Sequence, residues 1–245
     1  HAKTYDQYSS LQDEISDNLF KKLDLIKLKP NSILDLGCGT GRNGKILTEK
    51  YKNIRLINYD FSVNMLKEAR KKQQDFFKEI SGTNKFHFVC GDIEELSFSE
   101  NSFDIIWSTS SLQWCNNLSD TFRRIQAILK PGGLFIFSTF GPKTLFELKS
   151  ITKKISNYQK TNDFMDVLSI EDMLVNEQFV NPIIDSEEFR LSYKDINKLF
   201  LDLKNIGATS GFESKKMGLS GKSFLKLISD GYKEYSYDGI IPATY

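Results

Sequence analysis

The chain has 245 residues, with 33 Lys and Arg against 32 Asp and Glu, so its formal net charge is +1 at pH 7. An apolar fraction of 40% with only 5 Pro and 15 Gly is typical of a soluble globular protein and excludes a disordered or collagen-like chain. The near-zero net charge argues against a nucleic-acid binder with a basic surface. No segment approaches ~18 uninterrupted apolar residues, so no membrane span is expected.

The cysteines and histidines indicate neither a disulfide framework nor a metal site. Three widely spaced cysteines, Cys38, Cys90 and Cys115, predict free thiols in a reducing cytoplasm. Of the two histidines, His87 lies inside the apolar run Phe86–Cys90, which is typical of a strand residue rather than a metal ligand. The polar N-terminal segment has no signal-peptide core, so nothing indicates secretion.

Strand-like and helix-like patterns alternate over the first 140 residues. Short apolar runs predict strands at Ser32–Leu36, Ile54–Tyr59, Phe86–Cys90, Phe103–Ser108 and Leu134–Phe140. Helices are predicted at Gly44–Lys50, Val63–Glu79 and Ser119–Leu129, the last stopped by Lys130–Gly133. Apolar strands joined by right-handed helical crossovers predict a doubly wound, mostly parallel α/β sheet.

This alternation ends after Phe140, and the sequence becomes mostly helix-like. Helices are predicted at Thr144–Ile155, Ile170–Gln178 and Asp195–Ile206. Phe179–Ile184 and Glu188–Leu191 are candidate strands, and the Gly- and Ser-rich segment Thr209–Lys222 is predicted to be a surface loop. The region from Pro142 to about Gln178 is therefore interpreted as a helical cap.

A glycine-rich loop follows the first predicted strand, in the segment Asp35-Leu36-Gly37-Cys38-Gly39-Thr40-Gly41. Its glycines let the backbone turn sharply and approach a ligand without Cβ clashes, and the next helix offers free N–H groups to an anionic ligand group. Asp60 follows about 20 residues later, at the end of the second strand, where a carboxylate can bind both hydroxyls of a ribose. Together the loop and the two acids predict a nucleoside site.

NAD is the main competing ligand, because its fingerprint G-x-G-x-x-G also begins with a glycine turn. The third position after Gly39 is Arg42 rather than Gly or Ala, which predicts that the close helix packing of that fingerprint is missing. Asp35 would also repel a pyrophosphate, whereas it suits a cation such as an α-amino group. The pattern favours a nucleoside bearing an amino acid over a dinucleotide.

The segment Asp35–Gly41 resembles motif I of the class I S-adenosylmethionine-dependent methyltransferases. Tyr59–Ser62 resembles their second-strand acid motif, Gly91–Glu94 their adenine-contacting motif, and Leu129–Gly133 the turn before their fifth strand. These motifs cover residues 30–140. The resemblance implies a Rossmann-like sheet of the seven-stranded type that binds S-adenosylmethionine and releases S-adenosylhomocysteine.

The resemblance also implies which residues contact the cofactor. They are Asp35, Gly37, Gly39, Asp60, Phe61, Met65, Asp92, Ile93 and Ser108. The first acid and the first glycine would meet the methionine moiety, and Asp60 the ribose hydroxyls. Phe61 and Met65 would flank the adenine, with Asp92 at its amino group and Ile93 nearby, and Ser108 would line the methyl-transfer face. Asp92 could instead only cap a turn, and Met65 could belong to the core.

Segments near both ends resemble one family more narrowly. They are Tyr5–Gln12, Ser110–Trp114, Phe140–Leu148, Leu203–Thr209, Gly218–Lys222 and Ile241–Tyr245. All resemble the malonyl-[acyl-carrier protein] O-methyltransferases of biotin synthesis. Leu112–Trp114 also occurs in trans-aconitate methyltransferases, and Trp114 could simply be core. In the family the last segment runs on into a final strand, which we expect to be shortened, disordered or absent here.

The resemblance implies four parts of the chain. Residues 1–29 are an N-terminal helical element that closes the cofactor site, and 30–141 the cofactor-binding α/β core. Residues 142–180 are the helical cap inserted after the fifth strand, and 181–245 complete the core.

Methylating a carboxylate requires no strong general base, because an ordinary carboxylic acid is already ionised at pH 7. Catalysis then depends on alignment and on the exclusion of water. Tyr5 and Tyr8 are expected to close over the methyl group, and Gln113 and Thr144 to orient the acyl chain. These four residues are the predicted catalytic set.

Contacts to the substrate carboxylate are expected to be modest, because an Arg that grips the anion would blunt its nucleophilicity. Lys143 and Arg190 are the candidates, and either could be an ordinary solvated charge. An acidic carrier protein calls for a basic rim at the site. The candidates for that rim are Lys153, Lys154, Lys215, Lys216 and Lys222.

Three functions stay open. The first is methylation of the free carboxylate of malonyl-[acyl-carrier protein], or of malonyl-CoA, in the early biotin pathway. The second is methylation of a small dicarboxylic acid such as trans-aconitate. The third is a non-catalytic assembly factor that binds the cofactor. The intact motif I and the N-terminal tyrosines favour the two enzymes, and no nucleic acid, membrane or metal partner is expected.

Overall fold

A five-stranded parallel sheet forms the centre of the structure, a computed structural model in which residues 2–79, 84–155, 164–208 and 221–245 are described. Its strands are β1 (Ser32–Leu36), β2 (Arg55–Asp60), β3 (Lys85–Cys90), β4 (Phe103–Thr109) and β5 (Leu129–Ser138). They lie in the order β3-β2-β1-β4-β5. The order reverses beside β1, which confirms the predicted doubly wound fold and places a ligand crevice beyond the carboxyl ends of β1 and β4.

Helices connect the strands and continue through the C-terminal part. They are α1 (Ser10–Leu23), α2 (Arg42–Lys50), α3 (Val63–Glu79), α4 (Leu118–Ile128), α5 (Phe146–Ile155), α6 (Val167–Asn176), α7 (Ile196–Asn205) and α8 (Gly221–Tyr232). The start of α4 has a local cause in the sequence. Asn117, the residue before the helix, caps its first turn, because Asn117 Oδ1 accepts a hydrogen bond from the Asp120 N–H at 3.0 Å. None of the described helices is long and apolar enough to cross a membrane.

One face of the sheet is covered by α1 and α2. All five residues of β1 are buried, and Ile33 is paired with Ile105 on β4. The ring of Phe20 on α1 stacks on Trp107 of β4, with centroids 4.1 Å apart. Burial on this scale explains why a continuous apolar run, rather than alternation, marked the strands in the sequence.

The opposite face carries an aromatic cluster. Phe122 on α4 packs against Phe135 and Phe137 of β5, with centroids 6.0 and 5.6 Å away. Phe179, which follows α6, packs against Phe122 and Phe135 at 6.3 and 5.5 Å. Aromatic pairs at these separations stabilise the sheet beyond the area that they bury.

The predicted strand at Phe179–Ile184 is wrong. The ring of Phe179 anchors the segment, but no described strand pairs with it. Asn181 has a φ of +52°, and Val180 and Ile183 are 84% and 95% exposed. The apolar composition that suggested a strand therefore belongs to an irregular segment, and the next strand, β6, begins at Arg190.

The chain divides into two compact units. The sheet unit consists of Ala2–Thr139 and Ile170–Ile183, and the C-terminal unit of Phe140–Ser169 and Ile184–Tyr245. The glycine loop, the three acids predicted to bind the cofactor and the N-terminal tyrosines all belong to the sheet unit.

The C-terminal unit has its own small sheet and its own core. β6 (Arg190–Tyr193) and β7 (Ile241–Thr244) are antiparallel, and α5, α7 and α8 contribute Leu148, Leu199 and Ile228 to the core. The described residues thus place five strands in one sheet and two in another, rather than seven in one. The segment Ile241–Tyr245 supplies β7, which has four residues.

The helix α8 was not predicted, because its start follows a segment rich in Gly and Ser. Most of the predicted loop Thr209–Lys222, including Gly218–Ser220, lies outside the described residues, and α8 begins at Gly221. Beyond that start, Phe224, Ile228 and Tyr232 are buried in the C-terminal core, at the spacing of one helical face.

Two glycines bring α2 close to its neighbours. A Cβ at Gly41 would lie 2.8 Å from the Cβ of Ala69, and one at Gly44 would lie 2.3 Å from Gln73 Nε2 and 2.9 Å from Asn58 Oδ1. The prediction that close helix packing is missing is therefore wrong. Gly39, Gly41 and Gly44 have the spacing G-x-G-x-x-G, so the packing glycine lies two residues beyond Arg42.

We predict that Gly44→Ala destabilises the protein by about 1–3 kcal/mol, although alanine normally stabilises a helix interior. The added methyl group must displace the buried amide pair of Gln73 and Asn58, which exchange hydrogen bonds of 2.8 and 3.1 Å. Urea unfolding measures the change. Gly141→Ala is the control, because a Cβ there meets no atom within 4 Å; equal stability of both variants would contradict the packing.

Candidate functional site

The glycine loop at the end of β1 is held in a left-handed conformation. Gly37, Gly39 and Gly41 have φ values of +77°, +54° and +82°, which residues with a Cβ rarely adopt. The N–H groups of Gly37 and Cys38 both donate to the Tyr59 carbonyl, at 2.8 and 3.0 Å. The loop is thereby fixed to the end of β2.

Asp60 braces the same loop from β2. Its Oδ2 accepts a hydrogen bond from the Gly39 N–H at 2.8 Å, and its Oδ1 accepts one from the Ser62 N–H at 2.8 Å. Burial raises the pKa of Asp60, although these two N–H groups oppose the shift. A Cβ at Gly39 would meet nothing within 4 Å. The loop therefore has an open face beside a carboxylate that keeps further lone pairs for ribose hydroxyls.

Asp35 is a buried acid without a hydrogen-bond partner among the described residues. It is fully buried, and neither carboxylate oxygen is paired. Asn43 lies near enough to favour the charged form, yet its Nδ2 donates to Thr109 Oγ1 at 2.9 Å. Burial, with the negative charge of Asp60 adding to it, raises the pKa of Asp35 to about 8. Such an acid is poised to bind a cationic group.

The predicted adenine contacts lie around the loop that follows β2. The ring of Phe61 is 76% exposed, and Met65 is half-buried at the start of α3. Asp92 is exposed; its Oδ1 accepts from the Glu94 N–H at 2.9 Å, so it does cap a turn. Ile93 Cδ1 would lie 3.7 Å from a Cβ at Gly37. An exposed aromatic ring and an acid with one uncommitted oxygen leave room for a flat, hydrogen-bonding ligand.

The carboxyl end of β4 lies directly beside the glycine loop. Ser108 is fully buried within β4, and its hydroxyl donates to the Leu36 carbonyl at 2.9 Å. Ser111 Oγ donates to the Gly37 carbonyl at 3.3 Å, and a Cβ at Gly37 would lie only 2.1 Å from Ser111 Oγ. Ser108 thus fixes β4 to β1, while Ser111 packs over the loop.

Gln113 presents a hydrogen-bond acceptor. Its Nε2 donates to the Ser110 carbonyl at 2.6 Å, which fixes the orientation of the amide, because a carbonyl must face an N–H. Its Oε1 is buried without a partner among the described residues. That oxygen suits an N–H or O–H donor on a ligand, not a carboxylate. Trp114 next to it is 48% exposed, so its alternative role as a core residue is wrong.

The N-terminal turn is tied to the glycine loop by Asp6. Thr40 Oγ1 donates to Asp6 Oδ1 at 2.6 Å, and Lys72 on α3 pairs with Asp6 Oδ2. Burial opposes ionisation of Asp6, yet the hydrogen bonds from Lys72 and Thr40 hold its pKa below the usual value. Burial, with the charges of Asp13, Asp60 and Asp6, raises the pKa of Tyr5 to about 12. Tyr8, in the same segment, is half-buried.

A second set of contacts, not predicted from the sequence, fixes α1 to α2. Ser16 Oγ donates to Asn43 Oδ1 at 2.7 Å, so the Asn43 amide bridges α1 and β4. Arg42 pairs with Asp13 and Asp17 at 3.3 and 2.7 Å. Asn43 and Thr40 lie inside the segment that carries the glycine loop and could have been singled out as polar residues there, but their partners are far away in sequence.

The other predicted catalytic residue, Thr144, belongs to the C-terminal unit. Its Oγ1 is buried without a partner among the described residues, and its N–H donates to the Gly141 carbonyl at 3.0 Å. Lys143 lies 3.4 Å from Glu188, so its charge is partly compensated. Arg190 is exposed on β6.

Of the predicted docking lysines, Lys154 pairs with Glu234 at 2.5 Å, whereas Lys153 is exposed. Lys215 and Lys216 lie outside the described residues, as does the side chain of Lys222. The three cysteines are free thiols, and His87 is an exposed residue of β3. The described part of the chain holds no group of three His, Cys, Asp or Glu placed to bind a metal.

Comparison with known proteins places this site in a family. Residues 34–137 match a family described as a methyltransferase domain. The malonyl-[acyl-carrier protein] O-methyltransferase of Methylovorus sp. (strain MP688) is 39% identical over 244 residues, covering 100% of this chain and 82% of the relative. That of Gallionella capsiferriformans (strain ES-2) is 37% identical, covering 100% and 84%. The chain belongs to the malonyl-[acyl-carrier protein] O-methyltransferase family.

Solved structures agree on the fold. The YcgJ protein of Bacillus subtilis superposes with a TM-score of 0.61 at 16% identity, covering 94% of this chain and 93% of that one. Phosphoethanolamine N-methyltransferase 2 of Haemonchus contortus, in complex with S-adenosyl-L-methionine, gives 0.54 at 20% identity, covering 93% and 51%. Family membership confirms the predicted resemblance and O-methyltransferase activity.

The raised pKa of Asp35 predicts a pH-dependent effect of Asp35→Asn. In the unfolded chain this carboxyl ionises near 3.8 and in the folded protein near 8, so wild-type stability falls as pH rises between these values. Asparagine has no carboxyl group to ionise, so the stability of the variant does not fall in this way. Its stability relative to wild type therefore rises by about 1.4 kcal/mol per pH unit from pH 5 to 8 and levels off above 8.

Denaturant unfolding at several pH values measures this difference. A constant offset between Asp35→Asn and wild type at every pH would contradict the buried, protonated acid.

Asp6→Asn is predicted to loosen the N-terminal turn, because it removes the charge that Lys72 binds. The loss of one such hydrogen bond is worth about 1 kcal/mol, or roughly fivefold faster hydrogen exchange in residues 2–9. Asp17→Asn removes the same charge from the exposed pair with Arg42 and should leave that exchange unchanged. Equal protection in both variants would show that Asp6 does not hold the turn.

Proposed function

We propose that the protein methylates the free carboxylate of malonyl-[acyl-carrier protein] in the early biotin pathway. The proposal is carried by similarity over the whole of this chain, and over 82% and 84% of two relatives of that name. It is supported by Asp35, which has no partner among the described residues and lies beside an open glycine loop. The malonyl group is held on the carrier as a thioester, so one carboxylate stays free and ionised at pH 7.

The cofactor is S-adenosyl-L-methionine, which supplies an electrophilic methyl group and leaves as S-adenosyl-L-homocysteine. The residues of the sheet unit fit this molecule. Asp35 is proposed as the buried acid that ionises against the α-amino group, with Gly37 and Gly39 leaving the backbone open. Asp60 is proposed to bind the ribose hydroxyls, and the exposed ring of Phe61 to contact the adenine.

The chain's own residues have to align the reactants and exclude water rather than move a proton. A malonyl carboxylate is already ionised at pH 7, so no general base is required. Tyr5, with a pKa of about 12, stays a neutral hydroxyl and can donate a hydrogen bond. We propose that Tyr5 and Tyr8 close the cofactor side of the site, with Asp6 as the residue that holds them there.

Gln113 and Thr144 are proposed to position the substrate in different ways. The free Oε1 of Gln113 is an acceptor, so it suits an N–H, such as an amide of the arm that carries the malonyl group. The Thr144 hydroxyl can donate as well as accept and therefore suits a carboxylate. A neutral hydroxyl holds the anion without quenching its nucleophilicity as an arginine would.

A small carboxylic acid such as trans-aconitate, which carries three carboxylates, is the alternative substrate, and the charges of the proposed site disfavour it. Such a molecule carries extra carboxylates that need cationic partners, whereas Lys143 is already paired with Glu188.

The protein is proposed to act in the cytoplasm. Its three cysteines are free thiols, which supports a reducing compartment.

Mass spectrometry of acceptors incubated with the protein and S-adenosyl-L-methionine tests the function. We expect one added methyl group on malonyl-[acyl-carrier protein], with less on malonyl-CoA and none on trans-aconitate. Asp35→Asn, which retains the fold but not the buried acid, should lower cofactor affinity about tenfold or more. Methylation of trans-aconitate alone would establish the alternative substrate, and cofactor binding without transfer to any acceptor would indicate an assembly factor.

A further inference from the structure

The outer face of α3 carries three cations that have no acidic partner. Lys67, Arg70 and Lys71 are exposed, and no described carboxylate pairs with them. Their spacing of three and four residues places them on one side of the helix. Leu66, Ala69 and Gln73 are buried and hold the other side of α3 against the sheet unit, so the cationic row must face outward.

Several other basic residues are already compensated by a carboxylate. The pairs are Arg42 with Asp13 and Asp17, Lys50 with Asp24, Lys130 with Asp104, Lys143 with Glu188, and Lys154 with Glu234. Lys67, Arg70 and Lys71 are distinguished from these because they share one helix face, where their positive charges add. The pairing of Lys154 also reduces the basic patch that the sequence predicted on α5.

The row lies at the edge of the sheet unit where the cofactor loop is. The helix begins at Val63, three residues after Asp60, so Lys67 and Lys71 are roughly 6 and 12 Å along α3 from that end. The next residue, Lys72, pairs with Asp6, and Asp6 accepts from Thr40 in the glycine loop. The row is thus adjacent to the N-terminal turn that carries Tyr5 and Tyr8.

We propose that Lys67, Arg70 and Lys71 form the docking surface for the acidic carrier protein whose malonyl arm enters the site. This inference rests on the proposed function. Three unpaired cations on a rigid helix attract an acidic surface over distances comparable to the Debye length. This attraction raises the rate at which the carrier binds more than it raises the rate of methyl transfer. A flexible malonyl arm then spans the distance from the docked carrier to the reacting methyl group.

The test is a triple charge reversal, Lys67→Glu, Arg70→Glu and Lys71→Glu. The control is Lys27→Glu, Lys29→Glu and Lys85→Glu, which has the same change in net charge. Those three lysines are exposed and lie at the amino ends of β1 and β3, roughly 17 Å from the carboxyl edge. We expect kcat/KM for malonyl-carrier protein to fall about 10- to 100-fold at low salt in the α3 variant only.

Malonyl-pantetheine, which lacks the carrier protein, should react equally well with wild type and both variants. The loss for malonyl-carrier protein should shrink as NaCl approaches 0.5 M, because salt screens exposed charges. Equal losses in the α3 and control variants, or an equal loss with malonyl-pantetheine, would overturn the docking surface.

Binding of the holo-carrier, followed by fluorescence anisotropy, separates this inference from the proposed function. If wild type methylates neither malonyl substrate, the proposed function fails, and the binding comparison still decides the docking surface. Weaker carrier binding by the α3 variant alone supports the surface. Equal binding by the two variants, or carrier binding by none of the proteins, overturns it.

Discussion

The site depends on one constraint, a carboxyl group buried at the end of β1 with no partner of its own. A neighbouring amide could donate a hydrogen bond to Asp35, but the amide of Asn43 is engaged by Ser16 and Thr109. The protein therefore keeps an acid where burial raises its pKa to about 8. Burying this unpaired acid lowers the stability of the fold, and the acid gains a partner only when a cationic ligand binds. Such a cost is typical of a binding site rather than of a structural element.

The surroundings of Asp35 make this arrangement rigid. Asp60 fixes the loop through the Gly39 N–H, and Ser111 packs over Gly37. These contacts come from three different strands and meet because the carboxyl ends of parallel strands share one edge. Asp6 extends the network to the N-terminal turn through Thr40 and Lys72. The glycine loop and the N-terminal turn are thus coupled by direct hydrogen bonds rather than by general proximity.

The parallel strands could be predicted because they are buried on both faces, and a strand buried on both faces is a short, continuous apolar run in the sequence. Phe179–Ile184 has the same composition, but only the Phe179 ring packs into the core, a distinction that composition does not contain. The sequence prediction took Gly37 as the first glycine of the G-x-G-x-x-G pattern, whereas the pattern that packs closely begins at Gly39 and ends at Gly44. Asn43 and Asp6 could not be assigned roles, because their function lies in partners that only the folded chain brings near.

The unpaired groups proposed as site residues suit two recognition tasks. The acid of Asp35 suits a cationic α-amino group, and the Oε1 of Gln113, which is an acceptor, suits an N–H. In the C-terminal unit, the Thr144 hydroxyl can donate and is the group proposed for the carboxylate. An anion held by neutral donors keeps its charge available for displacement, whereas an ion pair would lower both its energy and its reactivity. Weak carboxylate recognition requires affinity from elsewhere on the substrate, and a carrier protein that binds the enzyme surface supplies it without touching the reacting atoms.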